Sequence, residues 1–241
     1  MKPGAVLFDY GHTLIDFDRP EPELIAAYHH INERLEHELE RQLPQASDLF
    51  RAVSVKVDEE IGKSYESGSE QEVDIADLYN VALAAIGVEL PLETVRWIMQ
   101  QEQDAWNHGI KIGGDVPEVL TELRTRGIRV GLVSNAAYDP EMMRGQMRYL
   151  GLLDYFDGTI FSSDIGIRKP NRAIYEKALT QVGTSARKSI FVGDRLREDV
   201  RGPRALGMTA FLTHEFRQEQ PDDGEEVTII SRLTDLSELL Q

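Results

Sequence analysis

The chain has 241 residues, enough for one large domain or two modest ones, and 41% hydrophobic with 28% charged residues is an ordinary composition for a soluble protein. A formal net charge of −16 argues against a general nucleic-acid binder, which needs a basic face to neutralise phosphates, so an anionic substrate would require a locally basic pocket. There is no cysteine, which excludes disulfides and thiolate chemistry. No apolar run approaches the ~18 residues of a membrane-spanning helix. Residues 1–5 show no basic segment leading into a long apolar one. A cytoplasmic enzyme or binding protein, with no nucleic-acid or membrane partner, is the expectation; the oligomeric state is left open.

In chain order, the first element is the apolar run Ala5-Val6-Leu7-Phe8, which ends in Asp9, Gly11 and Thr13. A short continuous apolar run predicts a strand buried on both faces, in the middle of a parallel sheet. Residues 16–20 read as a short excursion. From 21 to 42, apolar residues at three- and four-residue spacing (Leu24, Ile25, Tyr28, Ile31, Leu35, Leu39) predict an amphipathic helix. Weaker helical spacing covers 48–64, and two more helices are predicted over 73–86 and 92–106. Residues 17–111 therefore read as an all-helical insert.

The pattern then changes. Strands are predicted over 128–133, 158–161, 189–192, 208–212 and 227–230. They are separated by helices over 117–126, 140–150, 170–182 and 199–206, with a last helix from 233. Alternating strands and helices predict a parallel sheet with helices on both faces, a Rossmann-like α/β core. The expected organisation is a core of residues 1–16 and 112–241, with residues 17–111 as a helical cap domain over the carboxyl edge of the sheet.

Ligands bind outside the carboxyl ends of parallel strands. Asp9, Ser134, Lys169, Asp194 and Asp199 all fall at or near such ends, so residues distant in sequence converge on one edge. Their chemistry is coherent. Asp9 can act as a nucleophile forming an acyl phosphate. Asp194 and the Gly11 carbonyl can hold Mg²⁺, a hard cation that takes oxygen ligands. Ser134, with a nearby backbone N–H that Asn135 can supply, can hold phosphate oxygens, and Lys169 can neutralise charge on Asp9 and the transferring group. Asp199 can serve the metal directly or through a water, or fix Lys169. Thr13 is expected to donate to the Asp9 carboxylate, with a turn cap as the plainer reading. Arg168, Arg195 and Arg197 are candidates for the basic surround of an anionic substrate; as plain surface charges they would need no explanation.

Asp9-x-Gly-x-Thr13, the strand end at Ser134, Arg168-Lys169-Pro170 and Gly193-Asp194-x-x-x-x-Asp199 together resemble, in order, the four motifs of the haloacid dehalogenase superfamily. The insert resembles that family's C1 cap. The resemblance implies an aspartyl nucleophile, Mg²⁺, and most often hydrolysis of a phosphate ester. One position departs from it. The family's phosphatases usually carry Asp-x-Asp-Gly-Thr, where the second Asp protonates the leaving group; here that position is Gly11, followed by His12. General acid catalysis is worth ~10²–10⁴-fold. The expected function is therefore Mg²⁺-dependent hydrolysis of a small phosphorylated metabolite whose leaving group needs little protonation, such as a sugar 1-phosphate, with His12 a possible proton donor. The alternatives are a binding or regulatory protein that has lost turnover, and a 2-haloacid dehalogenase. The dehalogenase branch lacks the Gly-Asp metal motif that Gly193-Asp194 keeps here.

Overall fold

The computed structural model describes residues 3–240. Residues 1, 2 and 241, counted above with the core and, for the first two, inspected for a leader, lie outside the described residues. Strand β1 (Ala5–Phe8) leads into a short strand β2 (Ile15–Phe17) and then into helices α1 (Glu21–Leu39), α2 (Ala46–Phe50), α3 (Lys56–Glu66), α4 (Ile75–Ala85) and α5 (Leu92–Trp106). Strand β3 (Ile110–Ile112) returns the chain. From there it alternates through α6 (Val116–Thr125), β4 (Arg129–Ser134), α7 (Pro140–Tyr149), β5 (Gly158–Phe161), α8 (Arg172–Val182), β6 (Ser189–Gly193), α9 (Gly202–Ala205), β7 (Thr209–Thr213), β8 (Thr228–Ile230) and α10 (Asp235–Leu239).

Six strands form one parallel sheet in the order β5-β4-β1-β6-β7-β8. All four residues of β1 are buried. Side chains alternate across a strand, so Val6 and Phe8 enter a core under α6, α7 and α10, whereas Ala5 and Leu7 enter a second core under α8. Burial on both faces is what the unbroken apolar run requires, and it fixes β1 between β4 and β6. The register pairs Phe8 with Leu132 on one side and with Val192 on the other. Asp9 thus emerges between the ends of β4 and β6.

Helices α1–α5 bury a separate cluster that includes Leu24, Tyr28, Ile31 and Leu35 from α1 and Val95, Ile98 and Met99 from α5. Glu102 lies inside it, its carboxylate accepting from the Tyr28 hydroxyl (2.6 Å) and the Ser54 hydroxyl (2.7 Å). Burial raises its pKa from the usual glutamate value to about 7, against the pull of the hydroxyls that bond it.

Two features depart from the sequence reading. The excursion at 16–20 begins within β2, which pairs antiparallel with β3 and forms a two-stranded stem where the chain enters and leaves the helical insert. Each strand has only three residues, and the partners are far apart in sequence, so neither carries a local alternation signal. The helix predicted over 48–64 is built as α2 and α3 joined by a π-helical turn over Arg51–Val55.

A second junction joins insert and core. Gln71 and Ile167 form an antiparallel bridge, the Glu72 amide donates to the Gly166 carbonyl (2.9 Å), and the Arg168 amide donates to the Glu70 carbonyl (2.8 Å). The Arg168 guanidinium bonds the Glu72 carboxylate, both side chains being 1% exposed, and stacks 4.0 Å from the Tyr65 ring centroid. No helix among the described residues is long and apolar enough to cross a membrane.

Candidate active site

The carboxyl ends of β1, β4 and β6 open into a cavity of about 360 Å³ between the sheet edge and the insert. Its floor carries Asp9, Ser134, Lys169, Asp194 and Asp199; its apolar walls include Phe17, Ile61, Tyr65, Trp106 and Tyr138. The residues that sequence reading drew from four separate stretches are brought together.

Lys169 is buried and lies between two carboxylates. Its ammonium is 2.6 Å from Asp9 Oδ1 and 2.7 Å from Asp199 Oδ1. Burial alone would lower its pKa, but the charges of Asp199 and Asp9 outweigh burial and raise it. It is therefore a fixed cation beside the nucleophile candidate. Its backbone is held by Asn135, whose side-chain oxygen accepts from the Lys169 amide (2.7 Å) and whose side-chain nitrogen donates to the Lys169 carbonyl (3.1 Å). The Asn135 side chain thus locks the lysine loop, which leaves its backbone N–H for the phosphate role expected of it.

Both Asp199 oxygens are engaged, one by Lys169 and the other by the Arg195 amide (2.9 Å). A Cβ at position 193 would run into the Asp199 carboxylate, so only glycine admits Asp199 here. Thr13 differs from expectation: its hydroxyl lies 3.5 Å from Asp194 Oδ1, not on Asp9. Ser134 lines the cavity, and its hydroxyl has no hydrogen-bond partner among the described residues.

Asp9, Asp194 and Asp199 each offer a carboxylate oxygen, all within 4.8 Å of one another. Asp194 Oδ2 is buried with no hydrogen bond; Arg217 lies 3.1 Å away but at an angle that makes none. Burial, then the charges of Asp9 and Asp199, push the Asp194 pKa up to about 8. A buried oxygen without a hydrogen bond, in a crowd of three carboxylates that Arg217 only partly offsets, fits a hard divalent cation, which would relieve the repulsion. With both oxygens of Asp199 engaged, Asp194 and Asp9 are the better-placed direct ligands.

The position that departs from the motif has a steric counterpart. A Cβ at Gly11 would lie 3.0 Å from Phe17 Cε1, so the Phe17 ring occupies the space a side chain there would enter. His12, at φ 55°, stacks on Phe17 (4.6 Å between centroids), and its Nδ1 is 3.0 Å from Asp16 Oδ1. Burial, then Arg217, lowers its pKa against the pull of Asp16 and Asp9, which disfavours the charged ring. Of the arginines expected around an anion, Arg168, Arg195 and Arg197 all line the cavity, but Arg168 is buried and paired with Glu72. Arg217, Tyr65 and Gln103 also line it and were not singled out from sequence; the loop of the first and the helices α3 and α5 of the other two carry no motif that would have marked them.

A family model of haloacid dehalogenase-like hydrolases matches residues 3–207, most of the chain. The chain belongs to the haloacid dehalogenase-like hydrolases. Its relatives in this family include two glyceraldehyde 3-phosphate phosphatases. The one from Methanopyrus kandleri is 26% identical over 92% of this chain and 90% of its own length. The one from Methanothermobacter thermautotrophicus is 32% identical over 50% of this chain, spanning 55% of its own length. A solved 2-haloacid dehalogenase from Pseudomonas syringae superposes with a TM-score of 0.68 at 23% identity, covering 99% of this chain and 98% of that one, a likeness of fold alone. The chain is a family hydrolase with phosphatase relatives.

Proposed function

We propose that this hydrolase is a Mg²⁺-dependent phosphatase of a small phosphorylated metabolite, a sugar 1-phosphate or similar, acting through an aspartyl-phosphate on Asp9. The observation that carries the reading is the buried Lys169 bonded at once to Asp9 and Asp199. A permanent cation at that point offsets charge on the Asp9 carboxylate and stabilises charge on a phosphoryl group beside it. The phosphatase relatives support the reaction class.

In this reading Asp9, Asp194 and the Gly11 carbonyl would hold Mg²⁺, which would draw charge from the phosphoryl oxygens. Ser134 and the Asn135 N–H bind further phosphoryl oxygens. An Asp9 oxygen attacks phosphorus, the bond to the leaving oxygen breaks, and that oxygen takes its proton from solvent. Water then attacks phosphorus, the bond to Asp9 breaks, and inorganic phosphate departs from a regenerated carboxylate. Gly11 has no proton to give, and burial disfavours the charged form of His12, so esters with good leaving groups are favoured. The core is assigned to residues 1–16 and 112–241, and residues 17–111 to a cap whose walls exclude water.

The test is p-nitrophenol release from p-nitrophenyl phosphate, with and without Mg²⁺. Metal-dependent release by the wild type and none by folded Asp9→Asn is expected. Equal release by Asp9→Asn would remove Asp9 as nucleophile.

A further inference from the structure

Four arginines line the cavity of a chain that is strongly acidic overall: Arg168, Arg195, Arg197 and Arg217. Three are engaged. Arg168 is buried and paired with Glu72. The Arg217 guanidinium faces Asp194 (3.1 Å). Arg197 donates to the Gly68 carbonyl of the insert (3.1 Å) and lies 3.8 Å from Glu198. Arg195 is different: among the described residues its guanidinium has no carboxylate, carbonyl or hydroxyl partner.

That side chain springs from a rigid base. The Arg195 amide donates to Asp199 Oδ2 (2.9 Å), and the Arg195 carbonyl accepts from the Asp199 amide (2.8 Å). Its backbone is extended at φ −117° and ψ 129° where β6 gives way to the turn Leu196–Arg201. The residue is therefore anchored to the same carboxylate that anchors Lys169, one position after Asp194. Its side chain nonetheless stays exposed while lining the cavity. The cavity thus has cations at two levels. Lys169 is buried on the floor beside Asp9, and Arg195 is an exposed lining residue of a cavity whose apolar lining includes Tyr65, Ile61 and Tyr138. A guanidinium is a planar fork suited to carboxylate or phosphate, and it prefers such a partner to bulk water when apolar walls adjoin it.

We propose that Arg195 is the specificity-determining residue for a second anionic group on the substrate, so that the preferred substrates are small phosphoesters bearing a carboxylate or a second phosphate a few bonds from the phosphoryl group that is cleaved. The proposal rests on the phosphatase reading above and adds the substrate class.

The experiment compares matched pairs that differ by one charged group: 3-phosphoglycerate with glycerol 3-phosphate for the carboxylate, and glucose 1,6-bisphosphate with glucose 1-phosphate for the phosphate. Phosphate release is measured for wild type, Arg195→Ala and Arg195→Lys. The wild type is expected to favour the doubly anionic member of at least one pair in kcat/KM. Arg195→Ala should lower that preference ratio about tenfold or more, mainly through KM, and Arg195→Lys should restore it in part. The pair that responds names the anion. A ratio that is unity in the wild type, or unchanged in Arg195→Ala, overturns the proposal. If none of the four releases phosphate, p-nitrophenyl phosphate tests the phosphatase reading separately, and the shift in Tm with 3-phosphoglycerate and with glucose 1,6-bisphosphate decides the subsite by itself. A shift lost in Arg195→Ala upholds it; an equal shift, or none in the wild type, overturns it.

Discussion

At the scale of single residues the site is a charge arrangement with one member replaced. Lys169 and three carboxylates converge as the motifs anticipate, while Gly11 and Phe17 together close the place where a second acid would stand. The replacement is coordinated: a side chain at 11 would press on the Phe17 ring, and that ring is stacked on His12. Gly11→Asp alone is therefore expected to gain nothing. Gly11→Asp with Phe17→Ala should raise the turnover of alkyl phosphates relative to p-nitrophenyl phosphate by about tenfold or more, since a general acid matters most for poor leaving groups. Steady-state rates on the two substrates check this, and an unchanged ratio in the double variant would count against the missing acid as the limitation. The carboxylate cluster was legible in sequence because Asp9 and Asp194 follow the apolar runs of β1 and β6, and Asp199 follows Asp194 at the motif's fixed spacing. The side chains that hold the cluster were not. Thr13 serves Asp194, and Asn135 clamps the Lys169 backbone, because the distance between β1, β4 and the lysine loop is set by the fold and not by any local pattern.

At the scale of elements, the loop bearing Lys169 is shared between core and insert. Residues 70–72 run antiparallel to 166–168, and the Arg168–Glu72 pair buries a charge from each side. Removing one partner strands the other, which costs about 3–5 kcal/mol. Glu72→Ala should lower stability by that order in urea unfolding and should reduce turnover through the neighbouring Lys169. Loss of less than about 1 kcal/mol would show the pair to be hydrated, unlike its buried position here. This joint was invisible in the sequence, where Arg168 read as part of a substrate surround. A buried partner nearly a hundred residues away leaves no trace in spacing. The helices and six core strands were legible because their periodicity is local. The stem of β2 and β3 was not, being three residues on each side.

At the scale of the molecule, two hydrophobic bodies, the sheet with its helices and the α1–α5 cluster, meet across the cavity. The second body carries its own ionisable group. Glu102 keeps its proton in the folded state up to about pH 7, whereas the unfolded chain releases it near 4.5. Between those values the folded state binds more protons, so the contribution of this group makes stability fall as pH rises, by as much as ~3 kcal/mol once both states are ionised. Glu102→Gln should remove that fall, leaving the variant more stable than wild type at pH 8 and gaining little at pH 4. Urea unfolding at the two pH values measures it, and an equal difference at both would remove Glu102 as the source. The most direct test of the whole account is to mix enzyme and p-nitrophenyl phosphate with Mg²⁺, quench in acid within the first turnover, and locate phosphoryl groups by mass spectrometry of the peptides. The account predicts a phosphoryl group on Asp9, accumulating because no carboxylate stands at position 11 to activate water, and none in Asp9→Asn. A phosphoryl group on another residue, or p-nitrophenol released at the wild-type rate by Asp9→Asn, would contradict it.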